Sequence, residues 1–278
     1  MKHAFAYVVV LVVATSACIR APSPLTPAKS GSVGLPHRGT LSFGARLPSA
    51  GRGFARLRND ERRYGTPRLI GAIERAAGVV ADARRGSVLV VGDVSVDHGG
   101  RLLPHLSHRT GRDADLLLYV STLDGAMVTS PGFVHFEPDG LAWDPIHKRF
   151  LRFDVAREWL LIKSLVTDDD ARVQWIFLNH ALEPMLIEWA RAKGEPAETI
   201  RRAEQVLLEP HPGGVHDDHT HVRVACADDE IARGCEPNGP DRAWFLSGET
   251  TRSAPPSIDE LIRAVSEPLA SWTIADGP

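Results

Sequence analysis

Two short stretches, residues 104–115 and 216–221, constrain this chain more than anything else in it. The first reads Pro104-His105-Leu106-Ser107-His108-Arg109-Thr110-Gly111-Arg112-Asp113-Ala114-Asp115, the second His216-Asp217-Asp218-His219-Thr220-His221. Together they hold five of the 12 histidines, each with a carboxylate a few residues away. Neutral imidazole and carboxylate are the ligands a zinc ion prefers outside thiolate sites. The expectation is that the two stretches meet in the fold and make one metal site.

The second stretch opens a predicted strand, in which residues two apart point to the same face. His219, His221 and Arg223 then share one face, while Thr220, Val222 and Val224 share the other. The valines suit a core, so the histidine face looks into a cleft, and His216 lies just before the strand, close enough to line it. In the first stretch His108 and Asp115 are separated by six residues, with Gly111 between them. A glycine there lets the chain bend back so that both side chains converge on one ion. Asp115 enters an apolar strand, where an unpaired carboxylate is costly and a cation removes the cost. Asp113 is placed to accept a hydrogen bond from a ligand imidazole. A lone histidine is more often a surface or core residue than a ligand, and His-x6-Asp by itself says almost nothing. Both patterns at strand borders in one exported chain say more.

Export is read from the first eighteen residues. Met1-Lys2-His3 is a short basic start, Ala4 to Val13 an almost unbroken apolar run, and Ala14-Thr15-Ser16-Ala17-Cys18 supplies small residues. This is the layout of a secretory signal and is too short for a stable membrane span. Cys18 after Ser-Ala also resembles a lipoprotein cleavage site, which would give a membrane tether through an acylated Cys18. With Cys18 removed or acylated, Cys226 and Cys235 remain, and in an oxidising compartment they are most simply a disulfide closing a short acidic loop. Closing so small a loop adds about 2–3 kcal/mol. The alternative is two free thiols. The net charge of −3 excludes a strongly basic nucleic-acid footprint.

The expected organisation is a signal peptide over 1–18, a tether and extended lead-in over 19–55, one large domain over 56–240 and a helical C-terminal extension over 241–278. Order is expected from about Asp60. Thr66-Pro67 reads as N-cap and first position of a helix to about Ala83. Ser87 to Val96 and Leu116 to Val120 read as buried strands, and Ser121 to Arg152 as a long irregular region. Asp154 caps a helix to about Thr167, and Val173 to Leu178 is a strand. Helices over His180 to Lys193 and Pro196 to Leu208 precede the second histidine stretch. The sum is an α+β fold: a mostly antiparallel central sheet with peripheral helices and the zinc site in a cleft on the sheet.

Ser107 to Asp115 with His219-Thr220-His221 resembles the zinc metallopeptidases grouped with lysostaphin and the D-Ala-D-Ala peptidases. Arg62-Arg63-Tyr64-Gly65, Gly92-Asp93, Gly99-Gly100, His105-Leu106-Ser107-His108 and His216 to Arg223 resemble, within that group, the penicillin-insensitive murein endopeptidase family. Order and spacing agree from about Asp60 to Cys235. The resemblance implies that His108, Asp115 and His221 hold one catalytic Zn2+ and leave a position open for water, as a catalytic zinc requires. Such an ion lowers the pKa of its water to about 7 and polarises the scissile carbonyl. His219 is then the general base, and His216 stabilises the oxyanion or positions the nucleophile. It further implies a second metal position on His105, Asp144 and His147, for which a capped turn in a loop is the competing reading.

Neither Ser-x-x-Lys nor Gly-x-Ser-x-Gly occurs, so no serine nucleophile is signalled. The implied function is a periplasmic zinc endopeptidase cutting D-alanyl-meso-diaminopimelyl cross-links, with peptidoglycan peptides as partner and no nucleic acid. A D,D-carboxypeptidase on uncross-linked stems and an inactive zinc-containing wall-binding module are the alternatives. The oligomeric state is not specified by the sequence, and a homo-dimer stays open.

Overall fold

The computed structural model describes residues 31–210 and 216–245. The expected signal peptide, Cys18, the start of the tether and the C-terminal extension beyond residue 245 lie outside the described residues. Regular structure is already present at Gly31, well before Asp60, the expected start. Four short strands lie within the stretch expected as lead-in, β1 (Gly31–Leu35), β2 (Arg38–Ser42), β3 (Ala45–Arg46) and β4 (Ala50–Gly51), while β5 (Phe54–Arg56) crosses its end and β6 (Tyr64–Gly65) follows it. They escape sequence reading because they are too short for an alternation and draw their stability from remote partners. Ser32 N donates to Glu230 Oε1 at 2.9 Å, Gly34 N to Gly234 O at 2.8 Å, and Arg112 Nε to Ser32 Oγ at 3.0 Å.

Helix α1 (Pro67–Ala83) begins as its sequence dictates. Thr66 Oγ1 accepts from Leu69 N at 3.3 Å, Pro67 opens the first turn, and Leu69, Ile73, Ala76 and Val80 form the buried stripe. Next come β7 (Leu89–Val91), β8 (Asp113–Leu117), β9 (Val120–Thr122), β10 (Met127–Val128), β11 (Leu141–Asp144) and β12 (Arg149–Phe153). The region expected to be irregular is thus an antiparallel sheet in the order β10-β9-β12-β11. Its strands carry exposed aromatics such as Trp143 and Phe150, which hide any apolar-polar alternation. Helix α2 (Val155–Thr167) is capped by Asp154, whose carboxylate accepts from Arg157 N at 3.1 Å. After β13 (Val173–Phe177) follow α3 (Glu183–Ala192), α4 (Ala197–Val206), β14 (Leu207–Leu208), β15 (His219–Val224) and α5 (Asp228–Ile231). The Cys226–Cys235 disulfide is formed. Its acidic loop is not slack: it contains α5, and buried Glu230 ties it back to β1.

The main sheet runs β14-β13-β15-β8-β7-β5-β4, and all its pairings are antiparallel except β14 with β13 and β7 with β5. The fold is therefore the expected α+β arrangement. Ala114, Leu116, Val222 and Val224 lie in one core cluster with Ile73, Trp159 and Ile162 from the helices. Their neighbours Asp113, Asp115, His219 and His221 point to the other face by strand alternation.

One polar contact crosses the helix side of this core. Glu158, fully buried in α2, accepts from Thr220 Oγ1 at 2.7 Å and from Tyr119 N at 3.1 Å. Burial pushes its carboxyl up to about 7 from 4.5. A raised folded pKa means that this group's contribution is complete below about 4.5 and is lost as pH rises through about 7. Glu158→Gln keeps an acceptor for Tyr119 N and a donor for Thr220 Oγ1, and removes the titration. The variant should match wild type near pH 5 and be stabler at pH 8 by up to about 3 kcal/mol, read from thermal midpoints. A wild-type advantage at pH 8 would contradict this account of Glu158.

Candidate metal centre

The site is a product of strand register. In the antiparallel pair β8–β15, Asp115 stands opposite His221 and Asp113 opposite Arg223. The loop before β8 delivers the third side chain: His108 has φ +64° and Gly111 φ +69°. A Cβ on Gly111 would lie 2.7 Å from Leu41 Cδ1, so the expected glycine bend is required both by conformation and by space.

The imidazoles converge on one carboxylate oxygen. Asp115 Oδ1 lies 3.2 Å from His108 Nε2, 3.2 Å from His221 Nδ1 and 3.3 Å from His219 Nε2. The far nitrogens of two of the rings are fixed. His108 Nδ1 donates to Val94 O at 2.6 Å, and His221 Nε2 donates to Asp113 Oδ1 at 2.8 Å. Arg223 Nε also donates to Asp113 Oδ1, at 2.6 Å. Burial alone would raise the Asp113 pKa, but Arg223 and His221 hold it far below the ordinary carboxylate range. Asp113 is therefore the permanent anion that turns His221, in keeping with its spacing from Asp115.

Asp115 has no such satisfaction. It and His108 are 0% exposed, yet among the described residues neither Asp115 carboxylate oxygen nor His108 Nε2 makes a hydrogen bond. Buried polar atoms are nearly always paired, and an unsatisfied buried carboxylate is destabilising by several kcal/mol. A cation between His108, Asp115 and His221 would satisfy these atoms. The donor set, two imidazoles and one carboxylate, suits zinc. The ligand atoms of His105, His108 and Asp115, and likewise those of His216, His219 and His221, lie within 4.8 Å of one another.

His216 and His219 differ in kind from the others. Their ring centroids are 5.2 Å apart. His219 Nδ1 donates to Asp218 Oδ1. Burial alone would lower the His219 pKa, but Asp115 and Asp218 outweigh it and raise it to about 10. His216 has no carboxylate of its own. Burial, reinforced by His221 and His219, pushes it down to about 2, and its Nδ1 has no partner among the described residues. Two neighbouring imidazoles with opposed proton affinities can divide proton-carrying and neutral hydrogen-bonding work between them.

The comparisons with known proteins bear on this geometry. Residues 32–243 match the family model described as penicillin-insensitive murein endopeptidase. The chain belongs to that family. Relatives bearing the name penicillin-insensitive murein endopeptidase include one from Haemophilus influenzae, 30% identical over 80% of this chain and 72% of its own length. One from Escherichia coli strain 55989 is 28% identical over 85% of this chain and 87% of its own. A Klebsiella pneumoniae strain 342 relative is 28% identical over 75% and 70%. A murein endopeptidase is a peptidase of the bacterial cell wall, in keeping with action in the periplasm.

Within this murein endopeptidase domain His105 makes contacts separate from those of Asp144 and His147. His105 Nε2 donates to Asp93 Oδ2 at 2.8 Å, and its Nδ1 lies 3.7 Å from Asp115 Oδ2. Asp144 instead closes the β11–β12 hairpin. It accepts from Ile146 N and His147 N, both at 3.1 Å, and from His147 Nδ1 at 2.7 Å. No three-ligand cluster among the described residues joins Asp144 or His147 to His105. The capped-turn reading is the one the hairpin adopts.

Three neighbours have no role assigned from sequence. Asp93 gathers Arg58, Arg62 and His105 on one buried carboxylate. Phe133 meets His219 edge-on at 5.5 Å, and Gly92 makes room for it: a Cβ there would lie 2.9 Å from Phe133 Cζ. His135 Nδ1 donates to Asp217 Oδ1 at 2.8 Å, on the exposed side of the same loop. The Gly92-Asp93 step at the end of β7 is the only local signal for any of them.

Proposed function

We propose that the chain is a zinc-dependent endopeptidase that hydrolyses D-alanyl-meso-diaminopimelyl cross-links of peptidoglycan in the periplasm. The observation that carries this reading is the unsatisfied, fully buried Asp115 carboxylate at the meeting point of His108, His219 and His221. A zinc ion held by His108, Asp115 and His221 would supply Lewis acidity toward the scissile carbonyl and a water of lowered pKa.

The chain's own residues do the remainder. Asp113 and Val94 O fix the His221 and His108 rings, so that the ligating nitrogens need no reorientation. His219 takes the proton from the attacking water and returns it to the leaving amine. Its high proton affinity rests chiefly on Asp115. A cation bound to Asp115 would share that charge and weaken the hold on the His219 proton, while Asp218 keeps Nδ1 protonated and the ring aligned. His216 stays neutral and is a hydrogen-bond donor toward the developing oxyanion.

Digestion of purified cross-linked muropeptides, with and without chelator, tests the reading. Conversion of dimers to monomers that stops on chelation and returns with zinc is the expected result. Release of D-alanine alone would make the chain a D,D-carboxypeptidase. Zinc binding with no product would make it a wall-binding module, against which the two unligated histidines argue.

A further inference from the structure

A cationic rim stands beside the metal centre and has no part in the mechanism above. Arg58 and Arg62 both pair with Asp93, Arg58 through Nη1 to Oδ1 and Arg62 through Nη1 to Oδ2 at 2.8 Å. Asp93 is 3% exposed, whereas the Arg58 and Arg62 side chains are 41% and 33% exposed. The nearest other carboxylate, Asp60, lies 3.7 Å from Arg62 Nε but is itself engaged by Arg56 at 3.1 Å. Three guanidinium groups therefore share two carboxylates, and a net positive charge is left on the solvent side. Of the Arg58 nitrogens only Nη1 is engaged among the described residues, so part of its donor fork stays open to a ligand.

Two independent routes tie this charge to the reaction centre. Along one, Asp93 Oδ2 accepts from His105 Nε2 at 2.8 Å, and His105 Nδ1 lies 3.7 Å from Asp115 Oδ2. Along the other, the Arg58 guanidinium lies 5.5 Å from the Phe133 ring centre, and that ring is 5.5 Å from His219. Arg58 therefore stands on the far side of the Phe133 ring from His219, and Arg62 on the far side of Asp93 from His105.

We infer that Arg58 and Arg62, held by Asp93, form a carboxylate-binding subsite that recognises the free carboxylate on the carbon bonded to the scissile nitrogen. The identity of the substrate rests on the endopeptidase reading: in a D-alanyl-diaminopimelyl cross-link the residue supplying the scissile nitrogen carries such a carboxylate. A guanidinium engages a carboxylate through charge-assisted, often bidentate hydrogen bonds. Asp93 fixes the arginines without neutralising them both, so Arg58 and Arg62 determine specificity and do not take part in the chemical step.

The test uses a cross-linked muropeptide dimer and the same dimer with that carboxylate converted to the primary amide. Kinetics on both are paired with calorimetric binding of the corresponding product monomers, free acid and amide. Wild type should favour the carboxylate form by about tenfold or more in kcat/KM and in affinity. Arg58→Gln, at an exposed position, should keep its metal and treat acid and amide alike within about twofold, with Arg58→Lys retaining part of the preference. Equal handling of both forms by wild type, or a preference that survives in Arg58→Gln, would overturn the inference. Failure of wild type to cleave either dimer would remove the endopeptidase reading, while the calorimetric pair would still decide the subsite.

Discussion

His221→Ala is expected to lose bound metal and hydrolysis together. In the proposed ligand set His221 contributes one of three donor atoms and is the only one of them on β15, so its removal leaves His108 and Asp115 from a single segment. Loss of a ligand exceeds loss of a supporting hydrogen bond, which alone lowers metal affinity about 10–100-fold. The affinity of the variant should therefore fall by about 100-fold or more, and turnover to background. The protein should still fold: Asp113 keeps Arg223 Nε at 2.6 Å, and His221 lies on the cleft face, opposite the valines of the core. Elemental analysis after gel filtration, read beside circular dichroism, checks this. A folded variant with a full equivalent of zinc would remove His221 from the ligand set.

His219→Ala is expected to do the opposite: keep the metal and lose turnover by about 10²–10⁴. His219 Nε2 and His221 Nδ1 are nearly equidistant from Asp115 Oδ1, at 3.3 and 3.2 Å. Distance alone does not separate ligand from base. The partners of the far nitrogens do. His221 Nε2 is held by a buried aspartate whose charge Arg223 fixes, whereas His219 Nδ1 is held by Asp218, whose other oxygen lies 3.9 Å from exposed His135 of the β10–β11 loop. A ring so placed can gain and lose protons to solvent. Zinc content unchanged and KM little altered, with kcat collapsed, is the predicted signature. A fully active His219→Ala would reassign the base, and a zinc-free one would make His219 a ligand.

Much of this site is legible in the amino-acid sequence because its signals are local. The His219, His221 and Arg223 alternation needs only strand geometry, and β15 runs over the expected residues. Thr66-Pro67 and Asp154 mark helix starts through hydrogen bonds made within one turn. What escapes such reading is held by contacts remote in sequence. Strands β1 to β5 are two to five residues long and are defined by partners such as Glu230 and Leu89. The helix expected from His180 starts at Glu183 because Asn179 uses its side chain to accept from Ala181 N at 2.9 Å and delays the first turn. Asp144 and His147 have ligand chemistry but no local sign of where the hairpin carries them. Asp93 gives no local sign of its partners either, and its contacts with two arginines arise only in three dimensions.

The two faces of β15 make the metal centre a reporter of folding. Thr220 is bonded to Glu158 in the helical layer, and the residues either side of it, His219 and His221, face Asp115. Slipping the strand by one residue would exchange these sets, burying imidazoles in the core and turning Thr220 to the cleft. The chain therefore has no route to a correct core with a misregistered site, or the reverse. If the proposed zinc is bound, its escape from the folded protein should require β15 to part from β8, and its rate should track hydrogen exchange of the β15 amides as temperature is raised.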